Sequence, residues 1–257
     1  MNLLIDIHSH ILPGIDDGAK TFTDSLVMAQ AAVKQGIHTI LATPHHQNGK
    51  YINEKPDITS LVKKLNEELQ KESIPLTVLV GQETRIHGDM IHELETGKMA
   101  TLNDTKYVFV EFPSSQVPRY AKQMLFDMQV AGYTPIIVHP ERNQQIMEQP
   151  SILFDFVQKG ALTQVTAASI VGKFGKNIKK FSHQLVDANL THFLASDAHN
   201  TTSRGFVMRE AYQVLRNEHG NAAFYMFMEN TQFLIEGQNV IREQPEMIKK
   251  KKFLGIF

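Results

Sequence analysis

Residues 3–10 read Leu-Leu-Ile-Asp-Ile-His-Ser-His. The apolar run 3–7 is short and β-like, and two histidines follow it at once. Residues i and i+2 share one face of a strand. His8 and His10 can therefore converge on one cation through their imidazole nitrogens; the competing reading is a pair of hydrogen-bonded polar histidines closing a strand.

The same rhythm recurs outward from that stretch. Residues 22–36 (FTDSLVMAQAAVKQG) have helical spacing and stop at Gly36. Residues 38–43 (HTILAT) predict a second strand, ended by Pro44. Segment 57–73 is a charged amphipathic helix with Asp57 as its expected N-cap. Further strands are expected at 76–80, 106–110, 134–138, 161–166 and 191–195, with helices at 118–131, 151–159, 176–189, 203–219 and 221–230. Strands alternating with helices argue for a parallel α/β sheet. Seven strands without a break favour a closed or nearly closed (β/α)7 barrel. Absent any linker or repeat, residues 1–248 read as one domain, followed by a basic and apolar tail at 249–257.

Composition narrows the function. The chain has 257 residues, 42% hydrophobic and 21% charged, with a net charge of -1. Neither nucleic acid nor a membrane is favoured as the main partner by that balance. The first apolar run is interrupted by Asp6 and has no basic leader, so no signal peptide is expected and a cytoplasmic location is the default. With no cysteine, disulfides, thiolate zinc sites and thiol nucleophiles are excluded.

Chemistry-bearing residues gather where strands are predicted to end. Asp16-Asp17-Gly18 follows the first strand; alone it is a turn, but beside His8 and His10 it offers Asp17 as a carboxylate ligand. His45-His46 follows Pro44, and neighbouring residues in an extended chain point apart, so one of the two is expected to face the site. Glu83 follows the third strand and Glu111 closes the fourth. Each is open to a second reading as a salt bridge, to Arg85 or Arg119. His139 follows the fifth strand with Arg142 three residues on, and Asp197 and His199 repeat the i, i+2 pattern after the seventh. Arg142 and Arg204 carry planar forks suited to phosphate oxygens, or are surface arginines. Of the 12 histidines, His38, His87, His92, His183, His192 and His219 fall elsewhere and read as surface or structural groups. Imidazoles mixed with carboxylates suit manganese, iron, zinc or magnesium. A polynuclear metal centre, and so a hydrolase, is the expectation.

The motifs HxH, TPHH, GQE, VEF, HPER and SDAH resemble those of the PHP (polymerase and histidinol phosphatase) superfamily. The longer stretches DIHSHILPGIDDGAK, LNDTKYVFVEFP, HPERN and ASDAHN resemble bacterial tyrosine-protein phosphatases of the YwqE/CpsB type, over nearly the whole chain. That resemblance implies a distorted (β/α)7 barrel with three metals, usually manganese. It assigns His8, His10, Glu83 and Asp197 to one metal. Glu83, Glu111 and His139 go to a second, with Glu83 bridging, and Asp17, His45 and His199 to a third. Arg142 and Arg204 match the phosphate-binding, catalytic arginines; Asp16 and His46 are given no role. The implied substrate is a phosphotyrosine protein, a cognate bacterial tyrosine kinase controlling capsule or exopolysaccharide synthesis. Either a metal or an acid such as His45 or His199 assists the leaving phenolate. The alternatives are a histidinol-phosphate phosphatase, a metal amidohydrolase, against which Glu111 stands where a lysine is often found, and a non-catalytic kinase-binding regulator. The tail, with lysines at 249–252, reads as a solvated end or as a contact for anionic lipid or an acidic partner.

Overall fold

Aliphatic and β-branched runs become parallel strands in the structure, a computed structural model that describes residues 4–248. In chain order the elements are β1 (Leu4–Ser9), α1 (Phe22–Lys34), β2 (Ile37–Ala42), β3 (His45–His46), α2 (Lys55–Lys71), β4 (Thr77–Val80), β5 (Glu83–Arg85), α3 (Met90–Glu95), β6 (Tyr107–Glu111), α4 (Ala121–Val130), β7 (Thr134–Val138), α5 (Gln144–Glu148), α6 (Ser151–Gln158), β8 (Leu162–Thr166), α7 (Ala167–Val171), α8 (Lys176–Asp187), β9 (Phe193–Ala195) and α9 (Met208–Ile235). The tail at 249–257 and Leu3 lie outside the described residues.

Every strand pairing is parallel. One sheet runs β1-β2-β4 and the other β3-β5-β6-β7-β8-β9. The two sheets are a single barrel wall with a step in it. Pro44 ends β2, as its missing N–H requires, yet the chain resumes as β3 and pairs with β5. Likewise β4 resumes as β5 after Gly81-Gln82. Counting each stepped pair once gives the seven positions expected. Closure between β9 and β1 comes from Asp197 N–H donating to His8 O at 2.9 Å and His10 N–H donating to Ala198 O at 2.9 Å.

A buried side-chain clasp reinforces that seam. Asp6 Oδ1 accepts from Ser196 N–H at 2.9 Å, and Oδ2 accepts from the Ser196 hydroxyl at 2.5 Å. Burial pushes the Asp6 carboxyl up to about 6 against the pull of those donors.

Alternation along the strands divides the core. Tyr107, Phe109, Ile136, Val138, Leu162 and Phe193 fill the barrel interior, where Leu234 and Val240 join them. Val108, Val110, Ile137, Val165 and Leu194 face the helices. In β1 the register slips: Asp6 pairs with Ile40 but Ser9 with Ala42, so three steps on β1 oppose two on β2. This bulge switches the inward set from Ile5 and Ile7 to His8, whose ring lies 5.0 Å from that of Phe109.

Two local expectations are corrected. Helix α2 begins at Lys55 with Glu54, not Asp57, at its N-cap. Pro56 explains the shift, because its fixed φ suits the first helical turn. The helix expected from 203 begins at Met208, because Asn200 Oδ1 holds Thr202 N–H and Arg204 N–H in a loop. Gly220 (φ 85°, ψ 177°) then breaks α9 at the expected joint between two helices. Short helices α3, α5 and α7 lacked enough turns to show a period in the sequence. Among the described residues, no helix is long and apolar enough to cross a membrane.

Replacing Ser196 by Ala strands a buried carboxylate at the barrel seam. The expected loss is about 1–3 kcal/mol of unfolding free energy, read from urea denaturation. Thr21→Ala, which removes the capping box of α1 at an exposed helix end, is expected to cost about 1 kcal/mol and serves as the comparison.

Candidate metal centre

All nine candidate ligands gather at the C-terminal mouth of the barrel. His8 lies in β1, with His10 just past it and Asp17 in the following loop. His45 opens β3, Glu83 opens β5, Glu111 closes β6, His139 follows β7, and Asp197 and His199 follow β9. His139 (φ 35°) and Asp197 (φ 53°) sit in the left-handed region. That conformation costs a non-glycine residue on the order of 1–3 kcal/mol and aims side chains where a regular strand end would not.

Glu83 stands at the middle. Its fully buried carboxylate has Oε2 2.8 Å from His45 Nδ1, 3.3 Å from His10 Nε2 and 3.4 Å from His8 Nε2, while Oε1 is 2.7 Å from His139 Nε2. Asp197 Oδ1 lies 3.5 Å from His8 Nε2 and 3.4 Å from His10 Nε2. Asp17 Oδ1 lies 3.3 Å from His45 Nε2 and 3.4 Å from His199 Nε2. The decisive detail is what these atoms lack. Glu83 Oε2, His8 Nε2, His10 Nε2, His45 Nδ1 and His199 Nε2 are buried without a hydrogen-bond partner. Orphaned polar atoms are rare in folded proteins. Five converging on one spot fit a set of cations, and their mixed nitrogen and oxygen chemistry suits borderline and hard divalent metals.

At the barrel mouth the groups that can share an ion are His8, His10 and Asp197; His10, Asp17, His45 and His199; and His45, Glu83 and Glu111. The first holds three of the four residues that the resemblance assigns to one metal, without Glu83, and the second holds the three it assigns to another, with His10 added. In the third, His45 stands beside Glu83 and Glu111 where His139 was expected, and His139 meets Glu83 on its other oxygen. Glu111 also realises its alternative reading: Arg85 grips both its oxygens, at 2.8 and 3.0 Å.

Charge follows geometry. Burial works against ionising Glu83, but His45 and His8 beside it hold its carboxyl well below the usual range. Burial works against charging His45 as well, and Glu83 overrides it, pushing the imidazole up to about 10. His139, desolvated and close to the Arg142 guanidinium, is driven down to about 4 and stays neutral; a metal-bound imidazole must be neutral, so a cation held by His45 would have to displace its proton.

A second layer fixes the imidazoles. Asp16 Oδ2 is 2.7 Å from His10 Nδ1, Gln164 Oε1 is 2.9 Å from His8 Nδ1, and the Asp197 carbonyl is 2.9 Å from His199 Nδ1. In each case the partner is an acceptor, so Nδ1 carries the proton and Nε2 faces the centre. Asp16 also caps Gly18 N–H at 2.8 Å. Gly18 tolerates no side chain, because a Cβ there would meet His10 O at 2.0 Å. Asp16, which the sequence motif left without a role, is thus the residue that orients His10. Gln164 and Glu141 were missed as well. Glu141 is buried, and its Oε1 accepts from Thr166 N–H at 3.0 Å and the Ser169 hydroxyl at 2.7 Å, tying the turn between His139 and Arg142 to β8 and α7. Gln164 showed only as a polar residue inside the apolar run of β8, and Glu141 only as part of the HPER stretch. His46 turns away as one of its pair was expected to, with Nε2 3.1 Å from Glu93 and Nδ1 accepting from Asn53 N–H.

Above the ligands lies a cleft of about 300 Å³, lined by Phe112, Ser114, Asn143, Arg142 and Arg204 among others. Arg142 Nη2 is 2.6 Å from Asp197 Oδ2 and Arg204 Nη2 is 3.2 Å from the same oxygen. Arg142 Nε is buried with no hydrogen-bond partner.

Residues 4–236 match the family described as "Capsular polysaccharide synthesis, CpsB/CapC". The chain is 51% identical over 254 residues to tyrosine-protein phosphatase YwqE of Bacillus subtilis, covering 99% of this chain and all of the relative. It is 30% identical over 243 residues to tyrosine-protein phosphatase CpsB of Streptococcus agalactiae serotype III, covering 92% of this chain and 100% of the relative. A crystal structure reported for YwqE of Bacillus subtilis and CpsB of Streptococcus pneumoniae, described as metal-dependent tyrosine phosphatases, superposes with a TM-score of 0.94 at 51% identity, over 96% of this chain and 100% of that one.

Asp16→Ala leaves every candidate ligand in place but frees the His10 ring. Metal affinity is expected to fall about 10–100-fold, measured by competition with a chelating dye, with far-UV circular dichroism unchanged.

Proposed function

The chain belongs to the CpsB/CapC family of capsular polysaccharide synthesis, and from that premise we propose that it is a metal-dependent protein-tyrosine phosphatase acting on phosphotyrosine proteins. Its residues 1–248 work as one catalytic unit of PHP type. The observation that carries the reading is the meeting of two incomplete sets: imidazole and carboxylate atoms buried without partners, and two arginines on the same cleft, one with a buried free donor. The first set calls for cations and the second for an anion, which is the pairing that phosphoryl transfer to water needs.

His8, His10, Asp17, His45, Glu83, Glu111, His139, Asp197 and His199 hold a three-cation cluster, and manganese suits its share of carboxylates. When bound, the cations supply a water acidified toward neutral pH and positive charge opposite the phosphoryl oxygens. The chain's own residues do the rest. Arg142 and Arg204 turn from Asp197 toward the incoming phosphate and fix its orientation with fork-shaped donors. Asp197, relieved of part of that pairing, keeps its other oxygen on the His8 and His10 side. Phe112 and Pro140 line the cleft and exclude bulk water from the reacting face. A phenolate leaves with a pKa of about 10, so it demands less of an acid than an alkoxide would. No covalent enzyme intermediate is required, and a cysteine-based one is impossible in a chain without cysteine.

A family of capsular polysaccharide synthesis supports phosphotyrosine proteins as the substrate class; within it, the substrate of this proposal is the tyrosine-rich tail of a cognate tyrosine kinase, met in the cytoplasm. Nucleic acid plays no part in this reading, and any lipid contact runs through the kinase or the basic tail at 249–257.

The test is hydrolysis of a phosphotyrosine peptide by protein stripped with EDTA and then reloaded with manganese, with histidinol phosphate as the competing substrate. Turnover restored by metal and confined to the peptide is expected; preference for histidinol phosphate, or full activity after stripping, would overturn the proposal. In the same assay, His139→Ala and Arg142→Ala are each expected to reduce turnover by at least about 100-fold, equivalent to ~2.7 kcal/mol, with circular dichroism unchanged.

A further inference from the structure

Two of the histidines that read as surface groups face each other outside the barrel mouth. His183 lies in α8 and His219 in α9, immediately before the Gly220 break. His183 Nδ1 is 2.7 Å from His219 Nε2. Their ring centroids are 5.0 Å apart and the rings are tilted by only 16°. A ring nitrogen lies about 1.2 Å from its centroid, so the two nitrogens stand close to the line joining the rings, each aimed at the other.

The far side of each ring decides what can lie between them. His183 Nε2 is 3.2 Å from the Ile170 carbonyl, which can only accept. His219 Nδ1 is 2.8 Å from Asp187 Oδ1, also an acceptor. Both remote nitrogens therefore carry protons, and in the neutral rings the two facing nitrogens present lone pairs to each other. Two lone pairs at that distance repel unless something electropositive stands between them. Glu218 Oε2 lies 3.4 Å from His183 Nδ1 and adds a carboxylate to the same gap. The three donor atoms fall within 4.8 Å of one another. Two features resemble the support given to metal-binding imidazoles elsewhere in proteins: one ring is held by a backbone carbonyl and the other by a carboxylate.

We propose that His183 Nδ1, His219 Nε2 and Glu218 form a second metal site, distinct from the barrel mouth, that takes one borderline divalent cation such as zinc and pins α8 to α9. Imidazole and carboxylate donors suit zinc, and the open side faces a surface hollow lined by Asp187, Glu218 and Glu243, where water completes the shell. As found, the nitrogens are spaced for a shared proton. A tetrahedral cation needs them about 3.3 Å apart with the lone pairs meeting at about 109° rather than head-on, so the rings must open by ~0.6 Å and swing off their common line. His219 can supply that movement, because the helix is already interrupted at Gly220. Metal and proton thus compete for one gap. The cation's role is structural: it joins α8 to the first half of α9 without touching any residue of the catalytic cleft.

The experiment uses the full chain with its mouth filled by excess manganese. Wild type, His183→Gln, His219→Gln, Glu218→Gln and Asp187→Asn are each incubated with zinc, passed through gel filtration and analysed for metal, and their melting temperatures are followed with and without zinc. Phosphatase turnover and circular dichroism report that mouth and fold are intact. Wild type is expected to retain one zinc more than either histidine variant, with a zinc-dependent rise in melting temperature that they lack. Asp187→Asn should bind that zinc about 10-fold more weakly or worse. Equal zinc content in wild type and variants overturns the site. So does a stability difference that follows pH alone and ignores zinc, since the gap then holds a proton only. If either histidine variant fails to fold, Glu218→Gln and Asp187→Asn, which leave both rings in place, decide the matter by the same measurements.

Discussion

A fully buried carboxylate, Glu83, surrounded by four imidazoles is the constraint around which the mouth of this barrel is arranged. An isolated ionised carboxylate in such a place would be prohibitively costly, so the site depends on the imidazoles around it and on whatever charge they share. That requirement fixes neighbours from β1, β3 and β7 at once, and the only surface common to all three is the C-terminal end of the sheet. Chemistry and topology are therefore one statement here: parallel strands deliver their last residues to a single rim, and the rim is where unneutralised ligands can be shared by cations.

The remaining strand ends serve the same need by less regular means. A bulge in β1 turns His8 inward after Ile5 and Ile7 have already used the inward positions. Left-handed backbone at His139 and Asp197 turns two further ligands out of strand geometry. The clasp of Asp6 on Ser196 closes the seam within one residue of Asp197, so the same hydrogen bonds that seal the barrel hold one ligand in register. Strain at the ligands and surplus hydrogen bonding behind them belong together, because a sparsely populated conformation persists only where its surroundings over-determine it.

How far the sequence discloses this differs by level. Strand positions were legible because apolar runs bounded by Gly, Pro and charged residues leave a strong period, and the residues just past them could be read as ligands by type. The short β3 and β5 were not, since two or three residues carry no period and Pro44 reads as a terminator. Partnership was legible only in part. Nothing in the spacing distinguishes Asp16 from Asp17, and the side chains diverge only because Gly18 packs onto the His10 backbone. Gln164 is an interior residue of β8, and its bond to His8 spans 156 residues. Glu111 shows why single motifs stay ambiguous: Arg85 grips it as a salt bridge, yet it also lies 4.0 Å from His45 at the mouth.

Asp197 joins the two halves of the proposed site, the candidate ligands and the arginines. One oxygen faces His8 and His10, and the other is held by both Arg142 and Arg204. Burial opposes its charge, but Arg142 holds its carboxyl well below the ordinary range, so it is a dependable anion in either task. A phosphate bound by those arginines, as the proposed function requires, would compete with this carboxylate for the same two guanidinium groups. Asp197 would then lose cationic neighbours on one side and keep its charge for the other. On that reading a bound anion and a cation facing His8 and His10 would each strengthen the hold on the other, by the reciprocity of linked equilibria.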